Sequence, residues 1–430
     1  MSVAAHAPDT PTALPPAVRQ RIFVYLGGLL VLMSLGAPFG GLIDIPLSFL
    51  LKNRLHLAAH QVAGFRLIAA IPLFLGFAFG YLRDVWNPFG MRDRGFLVLF
   101  GALCAVCYAA FAFAPLTYGT LLVATLLLTI AFLFVASAQN GLASMLGQQH
   151  VMSGQVGAVW NIVGALPGIA ALLIGGRLSN LLEGEQAGAA LRILFLTGAA
   201  LMVAVALYGL WRPASVYDNL RHERAPDAHP LRDARRLLRH RPVYPALLIW
   251  LLWNFAPGSS TPLQYYLQNT LHAADAAWGQ WNAIFSASFI PTFIVFGVLC
   301  RTVALKHQLF WGTVVAVPQM VPLLFIHSLT GALVAAVPIG LMGGVATAAY
   351  MDLIIRCCPR GLQGTMLMLA GALSSVAVRF GDVLGTNLYD RFGGFTVCVV
   401  AITIVYALIL PTLLLVPPHL TATCDGERAR

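Results

Sequence analysis

Twelve long apolar runs separated by short loops leave this 430-residue chain few ways to fold. They lie near 22–51, 59–82, 95–115, 118–146, 153–181, 190–211, 243–269, 276–300, 307–326, 329–357, 362–390 and 394–416. Each reaches about 20 residues or more, the length of helix that crosses a bilayer core. With 59% hydrophobic and 10% charged residues and a mean hydropathy of +0.80, no water-soluble core could hide the apolar surface. In hydrocarbon every backbone donor and acceptor must be satisfied inside its own segment, so each run is predicted to be an α-helix.

Charge placement orients the helices. The net charge of +10 is carried by arginines in short loops between apolar runs, which argues against nucleic acid as a partner. An even number of spans puts both termini on one side. With the termini inside, 19 Lys and Arg side chains fall on the inner side and 5 on the outer, with Arg66 and Arg379 left within spans. That asymmetry predicts a multi-pass protein of the cell inner membrane with both termini cytoplasmic. The widest gap, 212–242, holds eight arginines, and its segment 231–240 is predicted to lie as an amphipathic helix on the inner leaflet. The expected organisation is a cytoplasmic tail (1–21), a six-helix bundle (22–211), the basic linker (212–242), a second six-helix bundle (243–416) and a cytoplasmic tail (417–430). No cleavable signal is read at the start, where residues 1–16 are polar and proline-rich.

The two bundles read as repeats. Pro46, Leu47, Leu51, Asn53, Leu55 and His56 match Pro262, Leu263, Leu267, Asn269, Leu271 and His272 at one offset of 216. Ala136, Ala138, Gly154, Gly175 and Leu178 pair with Ala346, Ala348, Gly364, Gly385 and Leu388 at an offset of 210. The first helix of each half is also interrupted, by Gly36, Pro38, Gly40, Gly41 and Pro46 in one and by Pro257, Gly258 and Pro262 in the other. Proline removes a backbone donor and crowds the preceding turn, so both helices are expected to kink. The kinks serve either packing or a gate at Pro46, Pro257 and Pro262.

Polar side chains inside the spans are the candidate site. Asp44 would face a cavity or a partner rather than lipid, there binding a cationic group, carrying a coupling proton, or making a structural hydrogen bond. Arg379 and Asp382 stand three apart on one helix face, and a deep guanidinium suits a carboxylate or phosphate. Asp352 and Arg356 are placed to neutralise each other. Gln139, Asn140, Gln264 and Tyr265, with the pairs Trp160-Asn161, Trp253-Asn254 and Trp281-Asn282, read either as a lining that stacks and hydrogen-bonds a planar solute or as glue between helices. Cys104 and Cys107 have redox-like spacing but lie within an apolar run. No metal site, cofactor or catalytic set is expected. Without a nucleotide-binding loop, any active transport would draw on an ion gradient.

Residues 80–94 carry a resemblance. Gly80 is followed by Asp84 after four residues, Gly90 after six more, then Arg92 and Arg94, with Pro88 in the turn. This resembles the loop between the second and third helices of major facilitator superfamily transporters, in the longer form found in the folate–biopterin branch. Residues 254–271, with Pro257 and the paired Tyr265-Tyr266, and residues 358–365, Cys-Pro-Arg-Gly-Leu-Gln-Gly-Thr, are similar to that branch as well. Gln363 and Gly364 stand where it has an acid and a small residue. The resemblance implies twelve transmembrane helices in two pseudo-symmetric six-helix halves, a substrate site between them, and transport of pterins, folates or related solutes. It also implies that Asp84 latches the halves on the cytoplasmic side with support from Arg92 and Arg94, and that Gly80 and Gly90 shape that loop.

The resulting expectation is a monomeric secondary transporter moving a small organic solute by alternating access, with protons as a candidate symported ion. Two alternatives stay open: a non-transporting assembly factor for pigment complexes, and a permease for cell-wall sugar fragments.

Overall fold

The computed structural model describes residues 14–39, 42–43, 47, 50–51, 55, 59–115, 117–182, 187–218, 220, 230–273, 275–392 and 394–427. No strand occurs among them. The spans are α1 (Pro16–Gly36), α2 (Ala59–Phe74, continuing as Gly76–Val85), α3 (Asp93–Ala112), α4 (Tyr118–Gln149), α5 (Ser153–Leu182), α6 (Ala187–Leu210), α7 (Val243–Asn254), α8 (Asp275–Leu299), α9 (Leu305–Ala316), α10 (Leu329–Cys357), α11 (Gln363–Phe392) and α12 (Phe395–Ala407). Ten helices among the described residues are long and apolar enough to cross a bilayer. The shorter α7 ends where its prolines begin.

Each break has a local cause. In α2, Pro72 lies inside the helix and the chain steps at Leu75, whose N–H turns back to the Pro72 carbonyl at 3.2 Å. In α7, Phe255 leaves helical geometry (φ −84°, ψ 84°), Pro257 follows, and Gly258 takes a φ of +115° that side-chain-bearing residues rarely adopt. The helix resumes at Thr261–Tyr265 and passes into a π-helical turn, Tyr266–Thr270. The kink expected in the seventh span is therefore a full interruption. In α1 the regular helix ends at Gly36, and Ala37 is extended.

Two apolar cores correspond to the two halves. Leu29, Met33, Phe96, Leu97, Tyr108, Leu128 and Met202 belong to the first. Ile249, Trp281, Phe296, Tyr350, Leu353 and Ile402 belong to the second. A third cluster crosses between halves, bringing Ile22, Tyr25, Leu142 and Leu146 against Ile354, Ile355, Met366 and Leu367. This cluster sits at the end of the molecule that carries the 80–94 loop and the described parts of the 212–242 linker, called here the linker end. Both described termini lie there too: Leu14 and Glu427 line one cavity with His150 and Arg301. Apolar packing against lipid gains little from water exclusion, because acyl chains are as apolar as leucine. A seal at a helix end differs, because opening it would wet those side chains and lose about 1.5–3 kcal/mol for each large one.

Candidate functional site

The linker-end seal is edged by two polar clusters. In the first, Asp84 at the end of α2 accepts hydrogen bonds from the opposite half: from Gly364 N at 3.1 Å to Oδ1, and from Thr365 N at 2.7 Å and Thr365 Oγ at 2.6 Å to Oδ2. These amides are in the first turn of α11, where helical N–H groups have no partner of their own and the helix dipole favours an anion. Arg83 neutralises the carboxylate at 2.8 Å and also pairs with Asp93 of α3. The guanidinium occupies space that a Cβ at Gly141 of α4 would fill. Gly80, one turn before Asp84, lets the two backbones meet: a Cβ there would collide with the Gly364 carbonyl.

In the second cluster, at the first turn of α5, the donors belong to the first half and the acid to the C-terminal segment. Asp425 accepts from Gln155 N at 2.9 Å and from Gly154 N at 3.3 Å. Arg356 of α10 neutralises it at 3.0 Å while also pairing with Asp352 at 2.9 Å. Between the clusters, Gln148 of α4 donates to the carbonyls of Ile355 and Cys358, both at 2.8 Å. Further in, Asn140 donates to the Met368 sulfur at 3.1 Å. The interhalf hydrogen bonds among the described residues thus gather at the linker end.

The polar residues predicted within the spans separate into three groups. Trp253 and Trp281 are in the core of the second half. Trp253 stacks on Tyr406 at 4.7 Å, and Trp281, 1% exposed, is stacked between Trp278 and Phe285. Gln139 and Trp160 line a small cavity within the first half with Leu26, Leu30, Val156 and Val159. The three asparagines of the Trp-Asn pairs share a habit: Asn161, Asn254 and Asn282 each donate to the carbonyl four residues earlier in their own helix, at 2.9, 2.8 and 3.0 Å.

Around the α7 break, two of the predicted residues acquire definite tasks. Asp382 accepts from Thr261 N at 2.9 Å and Thr261 Oγ at 2.8 Å, capping the segment that resumes after Pro257 and Gly258. Asn254 accepts from Ser374 Oγ at 2.7 Å. Gly385 of α11 packs directly on the break, where a Cβ would lie 2.5 Å from the Gly258 nitrogen. Pro262 is buried in the first turn of the resumed helix. Arg379 is exposed and makes no salt bridge among the described residues, so Asp382 does not neutralise it. Tyr265 is 48% exposed, Gln264 is half-buried, and Tyr266 points inward to the carbonyls of Leu323 and Ile326. Asp44 and Pro46 lie outside the described residues.

In the loop itself, Gly90 takes a φ of +69°, and the Arg92 amide donates to Asn87 Oδ1 at 2.7 Å. Arg94 reaches the carbonyls of Gly209 and Leu210 at the end of α6, at 3.0 and 2.6 Å, and lies over the Tyr217 ring. Among the described residues, the side chains bonded to Asp84 are therefore Arg83 and Thr365, neither of which was singled out by the spacing of the loop. Asp425 was not singled out either, since nothing around it forms a pattern.

Comparison with known proteins agrees with this architecture. The family model described as Major Facilitator Superfamily matches residues 168–381. The proton:xylose symporter XylE, bound to 6-bromo-6-deoxy-D-glucose, superposes with a TM-score of 0.70 at 11% identity, covering 95% of this chain and 98% of its own. The fucose transporter FucP from E. coli, in its outward conformation, gives 0.68 at 15% identity, covering 91% and 98%. The human organic anion transporter MFSD10 gives 0.65 at 16% identity, covering 93% and 100%. No curated protein matches the chain significantly. The family model matches just under half of the chain, and the superpositions show that the chain has the fold of major facilitator superfamily transporters.

Proposed function

We propose that the protein is a secondary active transporter that moves a small organic solute by alternating access. Its moving parts are the bundles 22–211 and 243–416, joined by the basic linker, with the linker end and both tails in the cytoplasm and the spans in the inner membrane. The working unit is a monomer, with protons as the candidate symported ion. The observation that carries this reading is one-sided closure. The interhalf bonds of Asp84, Gln148 and Asp425 gather at one end. The α7 break, Asn254 and Arg379 stand farther along the spans, away from that end.

The solute is proposed to be a planar organic anion, with pterins and folates as first candidates. Arg379 is the recognition group. Its exposed guanidinium, without a salt bridge among the described residues, can bind a carboxylate bidentately. Asn254, Ser374, Tyr265 and Gln264 supply further polar contacts. Resemblance to the folate–biopterin branch in residues 80–94 and 254–271 supports the choice, and one of the structural neighbours is an organic anion transporter. The test is flux of folate, a neutral pterin and a hexose into proteoliposomes. Folate flux that falls about tenfold or more in Arg379→Lys, with neutral solutes less affected, is expected. Equal loss for all solutes, or no flux of any, would sink the assignment.

A further inference from the structure

The polar cluster on α5 is built differently from the one on α11, and the difference points to a separate role. Where Asp84 meets Gly364, Cys300 at the end of α8 meets Gly154: a Cβ at Gly364 would lie 2.8 Å from Asp84 Oδ1, and one at Gly154 would lie 2.8 Å from the Cys300 Cβ. Cys300 is also 216 residues from Asp84, the offset that relates α1 to the α7 region. The second half therefore has a thiol where the first has an acid. Its anion arrives from beyond α12. The segment is held by backbone as well as side chain, with Asp425 N on the Cys300 carbonyl and Gly426 N on the Val151 carbonyl, both at 2.8 Å. Arg356 donates to the carbonyls of Leu420 and Thr423 at 3.2 and 2.9 Å, and to Ser153 Oγ at 3.2 Å.

The direct ion pairs in this cluster do not balance. One guanidinium, Arg356, serves two buried carboxylates, Asp352 and Asp425. Asp352 is fully buried, and its Oδ2 has no hydrogen-bond partner among the described residues. The Oδ2 atoms of both acids lie 3.1 Å from the point a Cβ at Gly154 would occupy. Two ionised carboxylates this close, with one counter-charge and one unsatisfied oxygen, form a site that binds a proton. We propose that Asp352, Arg356 and Asp425 form a proton-taking strap. The C-terminal segment closes the linker end by seating Asp425 on the first turn of α5. The carboxylate pair takes up one proton as it seats and returns it to solution as the segment leaves.

The surrounding groups fit that role. Arg356 and Asp352 face Asp425 from α10, and Cys300 from the end of α8. Cys424 and Glu427 flank it on its own segment, and the adjoining cavity brings Arg19, His150 and Arg301. Burial, and then Asp352, push the Asp425 carboxyl up to about 6 against the opposing pull of Arg356, from the ordinary 3.8 it would regain in water. The docked value is the higher one, so docking gains from this group at low pH and loses that gain as pH rises through about 6. A two-state linkage makes docking about tenfold stronger at about pH 5 than at about pH 7.

The test is amide hydrogen exchange of the full-length protein in nanodiscs, corrected for intrinsic rates, comparing peptides over 151–158 and 363–367. Wild type should lose about tenfold in protection over 151–158 between about pH 5 and about pH 7, with 363–367 changing less. Asp425→Ala should leave 151–158 unprotected at both pH values while 363–367 stays protected, which also shows that the variant folds. Asp425→Asn and Asp352→Asn should each remove the pH dependence. Protection of 151–158 that ignores pH in wild type, or survives Asp425→Ala, overturns the strap. The proposal deepens the transporter reading, but the readout is exchange rather than flux, so either can fail without the other.

Discussion

The two clusters at the linker end use one device with different parts. In both, a carboxylate from one half caps the first turn of a helix in the other, and an arginine neutralises it. At α11 the acid is Asp84, fixed at the end of a transmembrane helix and backed by Arg83 and Asp93. At α5 the acid is Asp425, carried on a segment that can leave without moving any span. The first cluster opens only if the bundles separate. The second has a part of its own that can come away beforehand. The comparison teaches that pseudo-symmetric halves can keep the same electrostatics while dividing rigidity and release between them.

Four changes would break or sharpen that contrast. The largest effect is expected from Asp84→Ala, which removes three interhalf bonds and leaves the buried Arg83 with Asp93 alone. Losing buried charge-assisted bonds costs on the order of 3–5 kcal/mol, so protection over 363–367 should fall by two orders of magnitude or more and flux should be severely reduced. Gly80→Val comes next. Its side chain cannot fit against the Gly364 backbone, so the halves should be held apart at the linker end, read as solvent accessibility of the buried Cys358 to a maleimide. Arg356→Lys should weaken 151–158 more than 363–367, by about tenfold, because an ammonium cannot reproduce the fork that spans Asp352, Asp425 and two carbonyls. The smallest and most discriminating change is Cys300→Asp in the Asp425→Ala background. If Cys300 stands where Asp84 stands, the new acid should restore part of the lost protection over 151–158 and make it independent of the tail.

These expectations bear on what the sequence discloses. Asp84 was legible because its surroundings are local and patterned: Gly80 four residues before, Gly90 six after, arginines beyond. Its partners were only partly so, for Thr365 lies 281 residues away and Arg83 precedes the acid without standing in the spacing. The spans and the place where α7 departs from a straight helix were also legible, since bilayer thickness and proline chemistry act on neighbouring residues. Asp425 was not, because its partner Gln155 is 270 residues away and no repeat or spacing marks it. The Trp-Asn pairs show the converse. Their adjacency read either as a lining or as glue between helices; Trp253 and Trp281 pack into the core, and each asparagine donates to a carbonyl of its own helix, while Asn254 also accepts from Ser374 of α11. Amphipathic direction is hard to read where both faces of a helix are apolar.

The central claim is that the linker end closes and opens while the solute site stays between the halves. Electron–electron double resonance between spin labels introduced by non-cysteine chemistry at Phe89 and Arg360, on loops of opposite halves, measures that end directly. The account predicts a short distance dominating in wild type, and a longer population that grows in Asp84→Ala and grows further when Asp425→Ala is added. One short distance, unchanged by both substitutions in protein that still carries solute, would contradict it.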